Sequence, residues 1–356
     1  MNDPIISGEL TGARPITSRE ATAGSELFRW LENRTLADLR TLLALSPARV
    51  GYLTFFGDEE CTYAVLVRRD GTLATHRADV GAAALAAAAT RLRLLNDGDP
   101  NSYEACAPID PAAPELRPYD DIASVYAPLL DWLDDERENL DVLCVSPDPA
   151  LLDVPLHMIP VGGRPLIDRV GVTVAPSANV LTHMARAGLP TRRPLTATMV
   201  SVPRAGDGDG ARHEAARYAA LGKVLGGLVG TASFVRDDAA DLAALRGAPL
   251  AARVVHFATH GAFDPAAPLE GSGLFLAAEG RLPSGESAAA HLASPAVLAG
   301  LELRGSRVIV SACLCGRSRE VTPGEALGVL WALLQAGAAS VVAAHWRTDI
   351  DSAMTF

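Results

Sequence analysis

Two side chains able to act together as nucleophile and base stand at the ends of apolar runs. VVHFATHG places His260 just past one run and before Gly261, and VIVSACLCG places Cys313 just past another, 53 positions later (313 − 260). A thiolate nucleophile needs a neighbouring imidazole to take its proton or stabilise the ion, and afterwards to protonate the leaving amine. Two adjacent parallel strands supply such a pair when each ends on one of these residues. The tetrahedral oxyanion then needs backbone N–H donors. Gly261, with no side chain to obstruct approach, and the amide of Cys313 are the candidates. Taken alone, a cysteine at the end of a buried strand is usually a small core hydrophobe. It is the pairing that points to chemistry.

Other titratable residues nearby have plainer readings. His256 lies four residues before His260 in the same run, so it alternates into the cover of the sheet as a core histidine. His256, His260, Cys313 and Cys315 are zinc-ligand types in the right number. Structural zinc sites prefer two to four residues between cysteines, however, and both histidines would have to converge on the Cys-x-Cys. No metal and no cofactor is expected. The GDGDG stretch at Gly206–Gly210 reads as an acidic, solvated loop.

The elements that must position the pair follow from hydrophobic patterning. From about residue 140 the rhythm is strand then helix. Strands are expected at Asp141–Ser146, Gly171–Pro176, Thr196–Val202, Arg253–His260, Arg307–Cys313 and Ser340–Trp346, with helices at Ala211–Leu228, Ala239–Leu245 and Glu325–Gln335. Continuous apolar strands alternating with helices imply an α/β fold with a mainly parallel sheet flanked by helices, and such sheets bind ligands at their carboxyl ends. Upstream, Asp70-Gly71 between two β-rich runs signals a hairpin, and helices are expected at Ser25–Leu45, Gly81–Leu95 and Asp121–Glu136.

Composition narrows the function classes. The chain has 356 residues, 49% of them apolar, a mean hydropathy of +0.18 and a net charge of −11. That is too apolar for disorder, and too acidic for nucleic acid to be the main ligand. Five cysteines, an odd and sparse set, are not a disulfide framework, and a reducing cytoplasm fits them. The uncharged stretch Ala326–Ala344 reaches the length of a membrane span. Gly337 divides it into a helical run and a β-branched run, which reads as a buried helix leading into a buried strand. No secretory signal precedes the fold, and no membrane association is expected.

Ser311-Ala312-Cys313, following HFATHG at this spacing, resembles the local signature of caspases. The chain as a whole resembles the CHAT family, caspase-like peptidases first noted beside tetratricopeptide repeats and grouped with caspases, separases and gingipains. The resemblance extends through VPLHMIPVGGRPLIDRVGVTVAPSANVL (Val154–Leu181), the Glu-bearing GARHEAARYAAL (Gly210–Leu221), SGLFLAAEGRL (Ser272–Leu282) and PGEALGVLWALLQAGAASVVAAHWRTD (Pro323–Asp349). It implies a caspase-like cysteine endopeptidase with His260 as base and Cys313 as nucleophile. It also implies an N-terminal arm over residues 1–40, a degenerate pseudo-caspase half over 41–138 and a catalytic half over 139–356.

The expected partners are a protein substrate and an activating protein, in a bacterial defence or cell-death system. The alternative is a catalytically silent CHAT scaffold or binding module. The segment Trp346–Asp351 resembles a separase loop whose acid selects a basic residue, so Asp349 and Asp351 are candidate substrate-binding carboxylates; helix capping is the structural alternative for both. Two departures from the family stand out. Cys315 replaces a small hydroxylated residue, and the family pattern continues into a further helix where this sequence stops at Phe356, as a truncated or processed form would.

Overall fold

The computed structural model describes residues 35–97, 117–186, 195–203, 208–229, 231–236, 245, 250, 252–276, 291–303, 305–322, 325–348 and 350. Two five-stranded sheets, each covered on both faces, organise them.

The first sheet grows from the local antiparallel piece. Helix α1 (Thr35–Leu45) leads into β1 (Val50–Gly57), β2 (Thr62–Val67) and β3 (Leu73–Ala78). The β2–β3 hairpin turns at Asp70-Gly71, where Gly71 takes φ +83° and the Asp70 carboxylate accepts the Thr72 N–H at 2.8 Å. Helices α2 (Ala82–Asp97) and α3 (Arg117–Leu130) follow. Beyond α3 the chain tightens into 3₁₀ turns, so the helix expected to Glu136 ends six residues early. Next come β4 (Val142–Ser146), a two-residue hairpin of β5 (Pro160–Val161) and β6 (Arg164–Pro165), β7 (Gly171–Val174) and α4 (Ala178–Arg186). The order is β3-β2-β1-β4-β7, antiparallel on one side of β1 and parallel on the other. Alternation sends Leu143 and Val145 towards the core shared with α2 and α3, and Cys144 towards α1 and α4. The division expected at 138/139 falls between α3 and β4, within the set of elements that builds this sheet.

The second sheet is parallel throughout, in the order β17-β14-β10-β8-β9. Its strands are β8 (Thr196–Ser201), β9 (Thr231–Arg236), β10 (Val254–Ala258), β14 (Arg307–Ser311) and β17 (Ser340–Ala343). Between β8 and β9 runs α5 (Asp209–Leu228); its first two residues lie in the stretch expected to be a loop, and Gly208 is its N-cap. A small antiparallel sheet of β11 (Gly261–Ala262), β12 (Gly273–Phe275) and β13 (Leu292–Ala293) follows β10. Then come the short α6 (Pro295–Leu298), the hairpin β15 (Arg319–Thr322) and β16 (Glu325–Leu327), and α7 (Val329–Gln335). The expected helix over Glu325–Gln335 therefore opens as a three-residue strand. Its start is delayed to Val329 because Gly328 presses against the Arg317 carbonyl, where a Cβ would approach to 2.4 Å. The helix expected at Ala239–Leu245 lies outside the described residues apart from Leu245.

Strand runs rich in β-branched and apolar residues suit a sheet buried on both faces. Val255, Phe257, Val308 and Val310 face α6 and α7, while Ala197, Met199 and Ala258 face Tyr218 and Leu225 of α5. Burying a side chain such as the fully covered Phe257 stabilises the fold by about 1.5–3 kcal/mol. The uncharged stretch at 326–344 divides as expected into α7 and β17, with Gly337 at φ +95° between them. Among the described residues no helix is long and apolar enough to cross a membrane.

Candidate active site

The second sheet brings His260 and Cys313 together by register. β10 and β14 pair from Val254↔Arg307 to Ala258↔Ser311, and Thr259 N–H donates to the Ser311 carbonyl at 3.2 Å. Carried two positions further, the same register sets His260 against Cys313, at the carboxyl ends of neighbouring strands. Alternation adds the face. Val254 and Ala258 lie on the α5 side, His256 between them bonds Ser311 Oγ at 2.8 Å, and His260 continues that side. The strand order reverses between β8 and β10, since β9 lies on one side of β8 and the later strands on the other. Connections diverge to opposite faces at such a point and leave a crevice, and His260 stands at its edge.

Glu214 is the residue that sequence reasoning did not single out. On α5 the buried positions are Glu214, Tyr218, Gly222 and Leu225, one stripe facing the sheet. A carboxylate on that stripe is costly unless paired, and Glu214 accepts the His260 Nε2–H at 2.7 Å. Both side chains are largely covered, at 8% and 19% exposure. Donating from Nε2 leaves Nδ1 as the imidazole nitrogen with a free lone pair, and an imidazolium formed there would be stabilised by the buried carboxylate. The sequence signal was present: a lone acid on an otherwise apolar helix face.

The backbone around His260 is held on two sides. Thr259 Oγ1 donates to the Phe275 carbonyl at 2.5 Å, and Phe275 N–H donates to the His260 carbonyl at 2.9 Å. Gly261 opposes Leu274 at a position between these ladder bonds, so its N–H faces away from β12. A Cβ at Gly261 would come within 2.4 Å of both the Cys313 carbonyl and Cys315 Sγ. Only glycine permits this approach, and it puts the Gly261 amide beside the Cys313 backbone.

Cys313 sits on a tight turn. Leu314 adopts φ +62°, the only non-glycine residue with positive φ among those described. For a leucine that conformation costs about 1–2 kcal/mol and is sustained by surrounding bonds. Leu314 N–H donates to the Trp346 carbonyl at 3.2 Å, Gly316 N–H to Ala344 at 2.8 Å, and Arg317 N–H back to Leu314 at 3.1 Å. The turn breaks the extended Cys-x-Cys geometry. Cys313 is partly exposed, with its sulfur 3.4 Å from the Thr348 nitrogen and 3.7 Å from its carbonyl oxygen. Cys315 is directed into the apolar core, fully buried, and donates to the Cys313 carbonyl at 3.3 Å. Burial pushes its thiol well above the usual range, which removes it as a nucleophile.

The remaining candidates fall as follows. His256 is buried and bonded, and burial lowers it to about 4. The four possible zinc ligands do not converge, and among the described residues no group of three or more His, Cys, Asp or Glu side chains is placed to hold a metal ion. Asp349 and Asp351 lie outside the described residues.

The chain matches the CHAT domain family over residues 122–356, and it belongs to that family, which is related to the caspase-like cysteine peptidases. No match is found among curated proteins. Two solved structures show partial likeness. One is a PilM-PilN type IV pilus biogenesis complex, with 20% identity, 40% of each chain covered and a TM-score of 0.22. The other is the complex of the Porphyromonas gingivalis RgpB pro- and mature domains, with 12% identity, 65% of this chain and 56% of that one covered, and a TM-score of 0.33. This chain thus spans less than two thirds of the length of either.

Proposed function

We propose that the protein is a cysteine endopeptidase that uses Cys313 as nucleophile and His260 as general base and acid. The observation that carries this reading is the register that sets the two residues at adjacent carboxyl strand ends on one face, with Glu214 behind the imidazole. His260 Nδ1 takes the thiol proton, and the thiolate adds to the scissile carbonyl of a protein substrate. The amides of Gly261 and Cys313 receive the developing oxyanion. Collapse of the tetrahedral adduct expels the amine, which takes the proton from His260, and water then hydrolyses the thioester by the same route. Glu214 positions the ring and stabilises its protonated form.

Family resemblance extends the proposal to one or few protein substrates, activation by a protein partner and a role in bacterial defence or cell death. A carboxylate from Asp349, or from Asp351, would then select a basic residue before the scissile bond. The deciding experiment is labelling with a thiol-directed peptide electrophile. Labelling that disappears in Cys313→Ala and persists in Cys315→Ala supports the peptidase. No labelling in any form, with or without a candidate partner, favours a silent scaffold. Profiling Asp349→Ala on a peptide library tests the basic-residue preference, and an unchanged profile removes it.

A further inference from the structure

Among the described residues, the groups hydrogen-bonded to the Cys313 sulfur do not belong to the elements that carry His260. After β17 the chain crosses the nucleophile turn as Ala344–Thr348, and this segment is tied in three directions. Its carbonyls at Ala344 and Trp346 accept the amides of Gly316 and Leu314, and the His345 carbonyl accepts from Nε of the buried Arg317 at 2.9 Å. Its far end brings the Thr348 N–H and C=O to the sulfur, at 3.4 and 3.7 Å. Its middle leaves the second sheet altogether, because Trp346 packs against the core that β1, β4, α2 and α3 share in the first sheet.

Two features bear on what this arrangement does. A sulfur engaged by a main-chain donor and a main-chain acceptor together is occupied there and is not presented to a base. Among the described residues the hydrogen-bond partners of the sulfur are both on Thr348, while the His260 ring is held on Glu214. The seating of the segment is also imperfect: among the described residues His345 Nδ1 and Trp346 Nε1 are buried and find no hydrogen-bond partner. Unsatisfied buried polar groups weaken the seated state relative to one in which they reach water.

We propose that Ala344–Thr348 is an autoinhibitory strap. While Trp346 is seated against the first sheet, Thr348 engages the Cys313 sulfur and keeps it from His260; unseating Trp346 releases the sulfur, and its proton passes to His260 Nδ1. The first sheet thereby controls a nucleophile carried by the second, and a partner that repacks its core around Trp346 arms the site. The proposal rests on Cys313 as the reactive thiol.

The test is the rate at which iodoacetamide, a small reagent that needs no substrate pocket, alkylates Cys313 in the full chain. Intact mass is the readout, and Cys313→Ala supplies the background. Trp346→Ala should react about tenfold faster than the natural sequence, with faster amide exchange at Leu314 and Gly316, while Trp346→Phe, which keeps a ring in place, stays close to the natural rate. Should Trp346→Ala fail to fold, Arg317→Met, which removes the Nε–H bond to the His345 carbonyl, should give the same acceleration. Faster exchange at Leu314 and Gly316 with an unchanged or slower alkylation rate overturns the strap. Peptide cleavage, measured separately, keeps the two ideas apart. Acceleration without cleavage retains the strap and removes the peptidase, and cleavage without acceleration does the reverse.

Discussion

The two sheets have the same strand number and are covered in the same way, yet among the described residues it is the second that carries the proposed pair, His260 and Cys313, at its carboxyl edge. In the first, β1 runs straight into a hairpin, and the Asp58 carboxylate closes that turn by accepting the amides of Glu60 and Cys61, each at 2.8 Å. Beside it, β4 ends at Ser146, bonded to the Pro176 carbonyl, and Asp148 caps a 3₁₀ turn. Its strand ends are consumed by the chain's own turns. In the second sheet every strand is parallel, so the carboxyl edge is a row of departing loops, and the β10–β14 register carried past Ala258↔Ser311 leads to His260 and Cys313 there. Parallel pairing is what makes the edge usable.

The largest expected contrast between the sheets is in activity. His260→Ala should reduce peptide hydrolysis by about 10²- to 10⁴-fold, the range for loss of a general acid–base group. Ser146→Ala, at the matching end of β4, should leave the rate unchanged; equal losses in kcat/KM for the two variants would dissolve the distinction.

Acid should separate the sheets next. Burial lowers both His256 and His345 to about 4, while the unfolded chain binds their protons near 6.5. Between these values the unfolded state holds more protons, so this stability is fully present above about pH 6.5 and is lost as pH falls towards 4. The loss is of order 3 kcal/mol for a fully buried imidazole. Amide exchange at pH 5 should therefore open β10 before β1, and His256→Gln should flatten the pH dependence of melting.

Glu214→Gln should lower kcat on the order of 10²-fold with KM little changed, because it removes charge support from the imidazolium rather than a substrate contact. A fall confined to KM would reassign the residue. Smallest is a pair of glycine substitutions. Gly261→Ala forces a 2.4 Å approach to the Cys313 backbone and should cost about 1–3 kcal/mol in urea melts, together with loss of labelling. Gly57→Ala, at the end of β1, meets its nearest atom, Thr62 Oγ1, at 3.3 Å and should cost well under that.

Much of this was legible in the chain. Runs such as VVHFA and RVIVS announce buried parallel strands, and reactive residues just past them announce a carboxyl-edge site. The short β9, TASFVR, escaped notice because it lacks a continuous apolar run, and the Glu325–Leu327 strand did so because its partner, Arg319–Thr322, lies across a turn. Glu214 carried a signal in its helical phase, but naming its partner required knowing that α5 covers the face on which His260 emerges. The contact from Thr348 to Cys313 spans 35 positions and is carried by main-chain atoms, to which side-chain patterning is blind.

The parallel register of β10 and β14 also has a bearing on synthesis. Residues 53 positions apart can meet only after the intervening crossover has folded back, and such non-local pairing is a late, slow event. A nascent chain therefore carries its cysteine and its histidine as strangers. Any chemistry that needs both residues has to wait for that crossover to fold.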